Sequence, residues 1–467
     1  MAKYNVKHQG TAITNRAGGD AYKQSDKLSL ASLLITSFAK AQYYRSEQKG
    51  YAELFELAER YPMFAAKAAI YARNAGMRSI THATAYAVAK AISGQEWGKD
   101  FYEKVISRPD DILEILSLVK ANSKSIPHAM QKGFAAALQN FDEYQLAKYK
   151  GEGRKIKMVD AVNLLHPKPT EALTKLMKGE LKPAETWEVG LTQAGQKGET
   201  EDEVKQNKFD VWNNLLMERK IGYFALLRNI NNIAQFPELI DRMCYLLVDE
   251  KLIRNSKVLP FRYATALEHI NTTDQRVINA INDAAEISLA NVPKFDGKVA
   301  VVIDSSGSMM SVMEIANLFG AILFKVNDAD LITFSDNAMY HKLNQRDTLL
   351  SIMNGIDYRM GGTNFNSIFP IMNKKYDRVI ILSDMQGWVR KSYWQNSHPG
   401  ETLAKYKRKF DVDPIIYSFD LRGYGDIQFP EQNVYCLAGF SDKVFDVMKL
   451  LETDRQAFIN EIEKIQL

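Results

Sequence analysis

The stretch Lys298–Met309 limits what this chain can fold into more than any other. Val299-Ala-Val-Val-Ile303 is apolar and mostly β-branched, without the polar alternation of a half-solvated strand. Such a run predicts a strand covered on both faces, as in a parallel sheet flanked by helices. In those sheets ligands gather beyond the carboxyl ends of the strands. There the chain places Asp304, Ser306 and Ser308 in a D-x-S-x-S arrangement. One carboxylate and two hydroxyls are hard oxygen donors, suited to an octahedral Mg²⁺ that keeps part of its water and poorly suited to zinc.

Further donors follow in a compatible order. A helix is predicted over about Val312–Val326, then a strand over Leu331–Ser335, then the turn Gly361-Gly362-Thr363, which would carry a third hydroxyl over the sheet. A second buried strand, Arg378–Asp384, ends in another carboxylate. Capping of the following helix would account for Asp304 and the serines, but for neither Thr363 nor Asp384. The order D-x-S-x-S, Thr, Asp resembles the metal-ion-dependent adhesion site of von Willebrand factor A domains. That resemblance implies a doubly wound, Rossmann-like α/β domain with Mg²⁺, or another divalent cation, as cofactor. Ser306, Ser308 and Thr363 would bind the ion directly or through water. Asp304 and Asp384 would anchor it, often through water, and an open position would accept a carboxylate from a partner.

At 467 residues the chain is too long for one ordinary core and is expected to form two or more domains. No uninterrupted apolar run approaches the ~20 residues of a membrane helix, and Met1–His8 lacks the apolar core of a secretory signal. A cytoplasmic protein without a membrane partner is the expectation. Cys244 and Cys436 lie far apart, so neither a disulfide framework nor a Cys-based zinc site is expected. No H-E-x-x-H, G-x-S-x-G or Walker motif is present. No recognisable arrangement of acid, base and nucleophile suggests an enzyme.

Residues 1–292 carry a different pattern. Leu30, Leu33, Leu34 and Phe38 recur at helical spacing, as do Ile112, Leu116 and Val119, and Tyr223, Leu227, Ile230 and Ala234. Breaks at Asn74-Ala-Gly76, Asn122–Pro127 and Asn140-Phe-Asp142 divide helices of ~12 to 18 residues, as in stacked helical pairs. The Gly-containing stretch Lys178–Asn207, with the acidic run Glu199–Glu203, suggests a long surface excursion. Arg228, Asn229, Asn231 and Asn232 lie in an otherwise apolar helix and would either form a polar face or bond to neighbouring helix ends. The boundary with the sheet domain is expected near Asn291–Gly297, giving domains 1–292 and 293–467.

Charge is unevenly placed. Residues 1–292 carry a net +6 and residues 293–467 a net −2, and the segment 120–182 alone carries +6. Its centre is Lys148-Tyr-Lys-Gly-Glu-Gly-Arg-Lys-Ile-Lys157, where cations surround glycines and an aromatic ring. Such a loop suits phosphate contact and base stacking, although a solvated Lys-rich loop has the same composition.

The stretch from Lys148 through Arg154 to His166-Pro-Lys-Pro169 resembles the signature of the TROVE module, found in the Ro autoantigen and its bacterial orthologues. Asn15-Arg-Ala-Gly-Gly19, Ala225-Leu-Leu-Arg-Asn229, and Leu259-Pro-Phe261 with Ala266-Leu267 resemble further elements of that family, in the same order. Ro proteins also end in an A-type domain. The resemblance implies an all-α, HEAT-like helical-repeat ring closed by the von Willebrand factor A domain, a monomer that binds small noncoding Y-type RNA and single-stranded ends of misfolded RNA. The implied RNA-contacting residues are Lys148, Lys150, Arg154 and His166, with Lys155 and Lys157 as substitutes because Gly151-Glu-Gly153 blurs the register. A 3′ exoribonuclease is the implied protein partner, and the implied role is that of a scaffold or chaperone in RNA quality control rather than an enzyme. The alternative is a Mg²⁺-dependent protein-interaction module with no dedicated RNA role.

Overall fold

The computed structural model describes residues 12–15, 17–23, 25–36, 47–122, 125–184, 186–387, 399–422, 426–429, 434–438, 444–453 and 457–467. Met1–His8, Arg16, Phe38 and the side chain of Cys436, all used in the sequence reading, lie outside what is described. Two compact units form, both discontinuous in sequence. One comprises Met1–Tyr22, Glu185–Leu421 and Asp426–Tyr435; the other comprises Lys23–Ala184, Arg422–Gly425 and Cys436–Leu467. This division follows compactness and does not speak to the family boundary at 292/293.

Nine strands lie along the described chain: β1 (Ala12–Thr14), β2 (Asp20–Lys23), β3 (Val299–Asp304), β4 (Asp330–Phe334), β5 (Ala338–Tyr340), β6 (Arg378–Ser383), β7 (Ile415–Asp420), β8 (Asp426–Ile427) and β9 (Val434–Ala438). The larger sheet has the order β5-β4-β3-β6-β7-β9, and β1, β2 and β8 form a small second sheet. β3 pairs in parallel with β4 and β6, and β6 with β7, while β5 returns antiparallel on β4. All residues of β3 and β6 are buried, which is why neither strand shows alternation in sequence. The parallel register brings the carboxyl ends of β3, β4 and β6 to one edge.

The apolar stretch Gly307–Asn327 is long and apolar enough to cross a membrane by length and composition, contrary to the sequence reading. That reading looked for an unbroken apolar run, whereas a few interspersed polar residues do not disqualify a span. Here more than half of the stretch is buried inside the fold. Gly307–Val312 is a 3₁₀ turn, and the helix Met313–Asn327 packs on β3, β4 and β6 with Phe319, Ile322 and Leu323 fully buried.

The helical readings held at Pro109–Asn122, where Ile112, Leu116 and Val119 are buried, and at the breaks after Asn74, Asn122 and Leu138. The stretch Lys178–Asn207 is largely exposed, as the sequence suggested, but it is mostly helical. It contains the helix Trp187–Lys197 and the start of the helix Glu201–Met217, which pack together through stacked Trp187 and Trp212. The acidic run is the first turn of the second helix, where Thr200 and Glu203 form a capping box and carboxylates favour the positive end of the helix dipole.

The second unit is mostly helical in its described part, with Lys23 and Cys436–Ala438 contributing the ends of β2 and β9. Its C-terminal helix Ala457–Glu463 packs on the helix Pro62–Asn74, with Tyr71 against Phe458 and Lys27 paired to Glu463.

Candidate metal centre and candidate nucleic-acid interface

The end of β3 turns sharply because Asp304 folds back on its own backbone, Oδ1 accepting from Ser306 N at 2.9 Å. Ser305 turns the other way and binds the β4 carbonyl of Phe334 through both its backbone N and its hydroxyl. Ser306 sits at the start of the 3₁₀ turn, yet its side chain caps nothing. Its Oγ lies 3.3 Å from Ser308 Oγ. Helix capping therefore does not use the Ser306 hydroxyl, which instead faces the Asp304 carboxylate and Ser308.

Thr363 is buried in the loop that crosses these strand ends. That loop is tied to β3 by Gly307 N donating to Gly361 O at 3.1 Å, and to β4 by Asn364 N donating to Ser335 O at 2.9 Å. Asp384 follows β6 directly and is fully buried, as is Asp304. Burial, and then the Asp384 carboxylate, push the Asp304 carboxyl well above the usual carboxylate range. Two buried carboxylates at the ends of adjacent strands are thus in electrostatic conflict, which a divalent cation would relieve. With the hydroxyls of Ser306, Ser308 and Thr363 the donor set is all hard oxygen, and these residues fit Mg²⁺. Among the described residues no group of three or more His, Cys, Asp or Glu side chains is placed to hold a metal, so the candidate depends on hydroxyls as well as carboxylates.

Two contributors were missed in the sequence. Ser383 donates to Asp304 Oδ2 at 2.5 Å, bridging β6 to β3. Gln386 N donates to Asp384 Oδ1 at 3.1 Å. Ser383 was findable, since a hydroxyl adjoins the second carboxylate in Leu382-Ser-Asp384.

The basic segment lies in the helical unit. The short helix Glu143–Lys148 starts with a capping box between Asp142 and Gln145 and ends at Tyr149. The loop then turns through Gly151 and Gly153, both at positive φ, and closes by Met158 N donating to Lys150 O at 2.9 Å. Gly151 is required twice over: its φ is +77°, and an added Cβ would lie 2.7 Å from Leu113 Cδ1. The helix Met158–Leu165 follows and ends at His166, which is left-handed at φ 51° and exposed. Lys148 and Arg154 are exposed and Lys150 is half-buried.

Two cations flank Tyr149: Arg108 lies 4.4 Å and Lys148 5.6 Å from its ring centroid, and Lys148 also lies 5.7 Å from the Tyr144 ring. Arg108 and the two tyrosines extend the predicted surface, and nothing in local spacing marks Arg108. Arg154, by contrast, is not extended into solvent alone. It pairs with Glu114 at 2.5 Å and approaches Asp110 at 3.9 Å.

Beneath this surface lies a buried charge network. Asp111 accepts from Arg73, Arg78, the backbone N of Ser107 and Arg108, and contacts His82 Nε2 at 2.9 Å. Burial opposes its ionisation, but the His82 hydrogen bond and the Arg73 charge outweigh burial and hold the carboxyl well below the usual range.

Of the polar residues near 229, Asn229 Nδ2 donates to Ala225 O, and Asn231 bonds both His269 O and Asn271 N. Asn231 serves a neighbouring helix end, whereas Asn229 bonds back into its own helix, which breaks there. Arg228 and Asn232 are exposed. The remaining described cysteine, Cys244, has its thiol pushed up to about 11 by burial and is no candidate nucleophile.

Comparison with known proteins adds two findings. The crystal structure of the Deinococcus radiodurans Ro (RSR) protein matches with a TM-score of 0.62 at 17% identity, covering 94% of this chain and 100% of that one. A likeness of this kind shows a shared fold. A family model for the TROVE domain matches residues 20–190 and 175–313, well over half of the chain. With the family elements at Asn15–Gly19, Lys148–His166 and Ala225–Asn229 in their expected order, the chain belongs to the TROVE domain family.

Proposed function

We propose that this chain is a Ro-like RNA-binding protein that acts as a non-enzymatic scaffold or chaperone in RNA quality control. In this reading the helices are HEAT-like repeats and the sheet belongs to a von Willebrand factor A domain holding Mg²⁺. The RNA partners are small noncoding Y-type RNA and single-stranded ends of misfolded RNA, and a 3′ exoribonuclease is the protein partner. One observation carries the RNA reading: Arg108 and Lys148 lie against the rings of Tyr149 and Tyr144, at the start of the loop that carries Lys150 and Arg154, in a chain of the TROVE family. Backbone phosphates would meet the cations and unstacked bases the rings. His166 lies exposed at the far end of the following helix.

The test is titration of a small structured RNA at several salt concentrations. Log affinity should fall linearly with log salt by ~0.7 to 0.9 per neutralised phosphate. Replacing Lys148, Lys150 and Arg154 together by Ala should flatten that slope by about two, since Arg154 already spends part of its charge on Glu114. Wild-type slope and affinity in the triple variant would sink the RNA reading of this loop.

A companion expectation concerns Glu114→Gln. The Arg154–Glu114 pair is exposed on both sides and contributes only ~0–1 kcal/mol to stability. Its removal should leave melting unchanged and raise RNA affinity several-fold at low salt. Unchanged or weaker binding would mean that Arg154 faces no phosphate.

The second reading, a Mg²⁺-dependent protein-interaction module, is favoured by Met310 and Met360, 58% and 47% exposed beside the donor residues. Retention of small RNA on purified protein in low salt, and its loss in high salt, would favour the first reading.

A further inference from the structure

The N-terminal turn Asn15–Gly19 has no place in either the metal or the RNA account, yet it is built onto the loop that carries Asp384. Asn15 is 5% exposed. Its Oδ1 accepts from Ala17 N at 3.0 Å and Gly19 N at 2.8 Å, and its backbone N donates to Gly19 O at 2.8 Å, which closes the turn on itself. The other end of the same amide reaches across 372 residues of sequence: Nδ2 donates to Gly387 O at 2.6 Å. Beside it, Ala17 N donates to Gln386 Oε1 at 3.2 Å. Gln386 in turn donates from its backbone N to Asp384 Oδ1 and from Nε2 to Asp384 O at 3.3 Å. From below, Gln428 Nε2 holds Met385 O at 2.9 Å. Gly19 lies so close that a Cβ there would stand 1.9 Å from Gly387 O, so the two backbones touch.

Resting on the metal reading above, we propose that the Asn15–Gly19 turn is a positioning element for the metal centre. It clamps Gln386-Gly387 and thereby fixes the carboxylate of Asp384. Asn15 acts through Gly387, and Gln386 is the link to the carboxylate. Asn suits this place because one side chain must offer an acceptor to its own turn and, from a second atom, a donor to the loop; Asp loses the donor, Ala loses both, and Ser has a single oxygen for the two sides. The chemical consequence concerns ion choice. Mg²⁺ demands near-ideal octahedral geometry, whereas Ca²⁺ accepts flexible, larger cages. A clamp on one anchoring carboxylate therefore favours the smaller ion.

The experiment is calorimetric titration of the full chain with Mg²⁺ and, separately, with Ca²⁺, for the wild type, Asn15→Asp, Gly19→Ala and Asp304→Asn. Asn15→Asp keeps both acceptor contacts of the turn but sets a carboxylate oxygen against Gly387 O. Gly19→Ala leaves Asn15 intact and pushes the loop sterically. Both should weaken Mg²⁺ by about ten-fold or more, the usual cost of losing an outer partner of a ligand. Both should weaken Ca²⁺ less, so that the Mg²⁺ to Ca²⁺ affinity ratio falls. General loosening of the fold would lower both affinities together and leave that ratio unchanged, which overturns the proposal, as does wild-type Mg²⁺ affinity in either variant. If Asn15→Asp fails to fold, Gly19→Ala decides alone. Loss of binding in Asp304→Asn with binding in the wild type shows that the metal reading stands independently. No binding by the wild type would overturn both.

Discussion

Asp304→Asn is expected to leave the chain unable to bind Mg²⁺ and yet to melt at a higher temperature than the wild type in metal-free buffer. The two effects have one cause. Asp304 and Asp384 are both fully buried, and burial and then the Asp384 charge raise the Asp304 pKa. A group with a raised folded pKa contributes stability that is fully present below its unfolded value, ~3.9, and is lost as pH rises through the folded value. Metal-free wild type should therefore lose stability from mildly acid toward neutral pH, and Mg²⁺ should restore it by mass action. The amide of the variant cannot ionise, can still accept from Ser306 N, and can itself donate to Ser383 Oγ. Its melting temperature should be flat across that range and insensitive to Mg²⁺, each kcal/mol relieved being ~2–4 °C for a domain of this size. Melting curves at a series of pH values, with and without Mg²⁺, supply the check. A wild type whose melting ignores both pH and Mg²⁺ would remove the carboxylate conflict, and the metal centre with it.

The second large effect lies in the helical unit. Asp111→Ala should destabilise it by about 3–5 kcal/mol, the usual consequence of leaving one partner of a buried ion pair uncompensated. Arg73 and His82 are each 6% exposed and would lose their common acceptor. The backbone donors of Ser107 and Arg108 would be orphaned with them. Because the folded pKa of Asp111 is depressed, its contribution is present above the unfolded value and is lost only as pH falls through the lower folded one, so mild acid should leave the network intact. Hydrogen exchange in the helix Pro62–Asn74 should quicken strongly in the variant. RNA affinity should also fall, since Arg108 would no longer be held over Tyr149, but at a nearly unchanged salt slope because no predicted loop cation has been removed. A variant with wild-type exchange would show that Arg73 finds another acceptor.

The positions of Asp304, Ser306, Ser308 and Asp384 at strand ends were legible because an apolar, unalternating run stops there and a carboxylate or hydroxyl follows, whereas Thr363 follows no strand and stood out only by its Gly361-Gly362 turn. Helix positions such as Ile112, Leu116 and Val119 were legible for the same kind of reason. The pairing of Arg154 with Glu114 was not, since the partners are 40 residues apart on separate elements and no local pattern joins them. Nor was the contact of Asn15 with Gly387, which depends on how the chain returns after β6. The reading of Glu199–Glu203 was half right. Acidic density and glycines correctly suggested solvent, since these residues are exposed, but the Thr200-x-x-Glu203 pattern also marked the start of a helix that the reading left out.

The interleaving of the two units bears on how a ribosome can deliver this fold. The helical unit is nearly complete in sequence by Ala184, but its buried Phe458, Ile459 and Ile462 belong to the helix Ala457–Glu463. At ~5–20 residues per second, that helix is made about 20–75 s after the helix Pro62–Asn74 that it covers. Through that interval Tyr71, which the finished fold sets 5.8 Å from the Phe458 ring, faces a gap. The nascent chain must therefore hold an open apolar seam while the whole sheet is being synthesised. That seam closes only once residues 457–463 have been made, so the step that shuts it comes after synthesis of every described strand of the sheet.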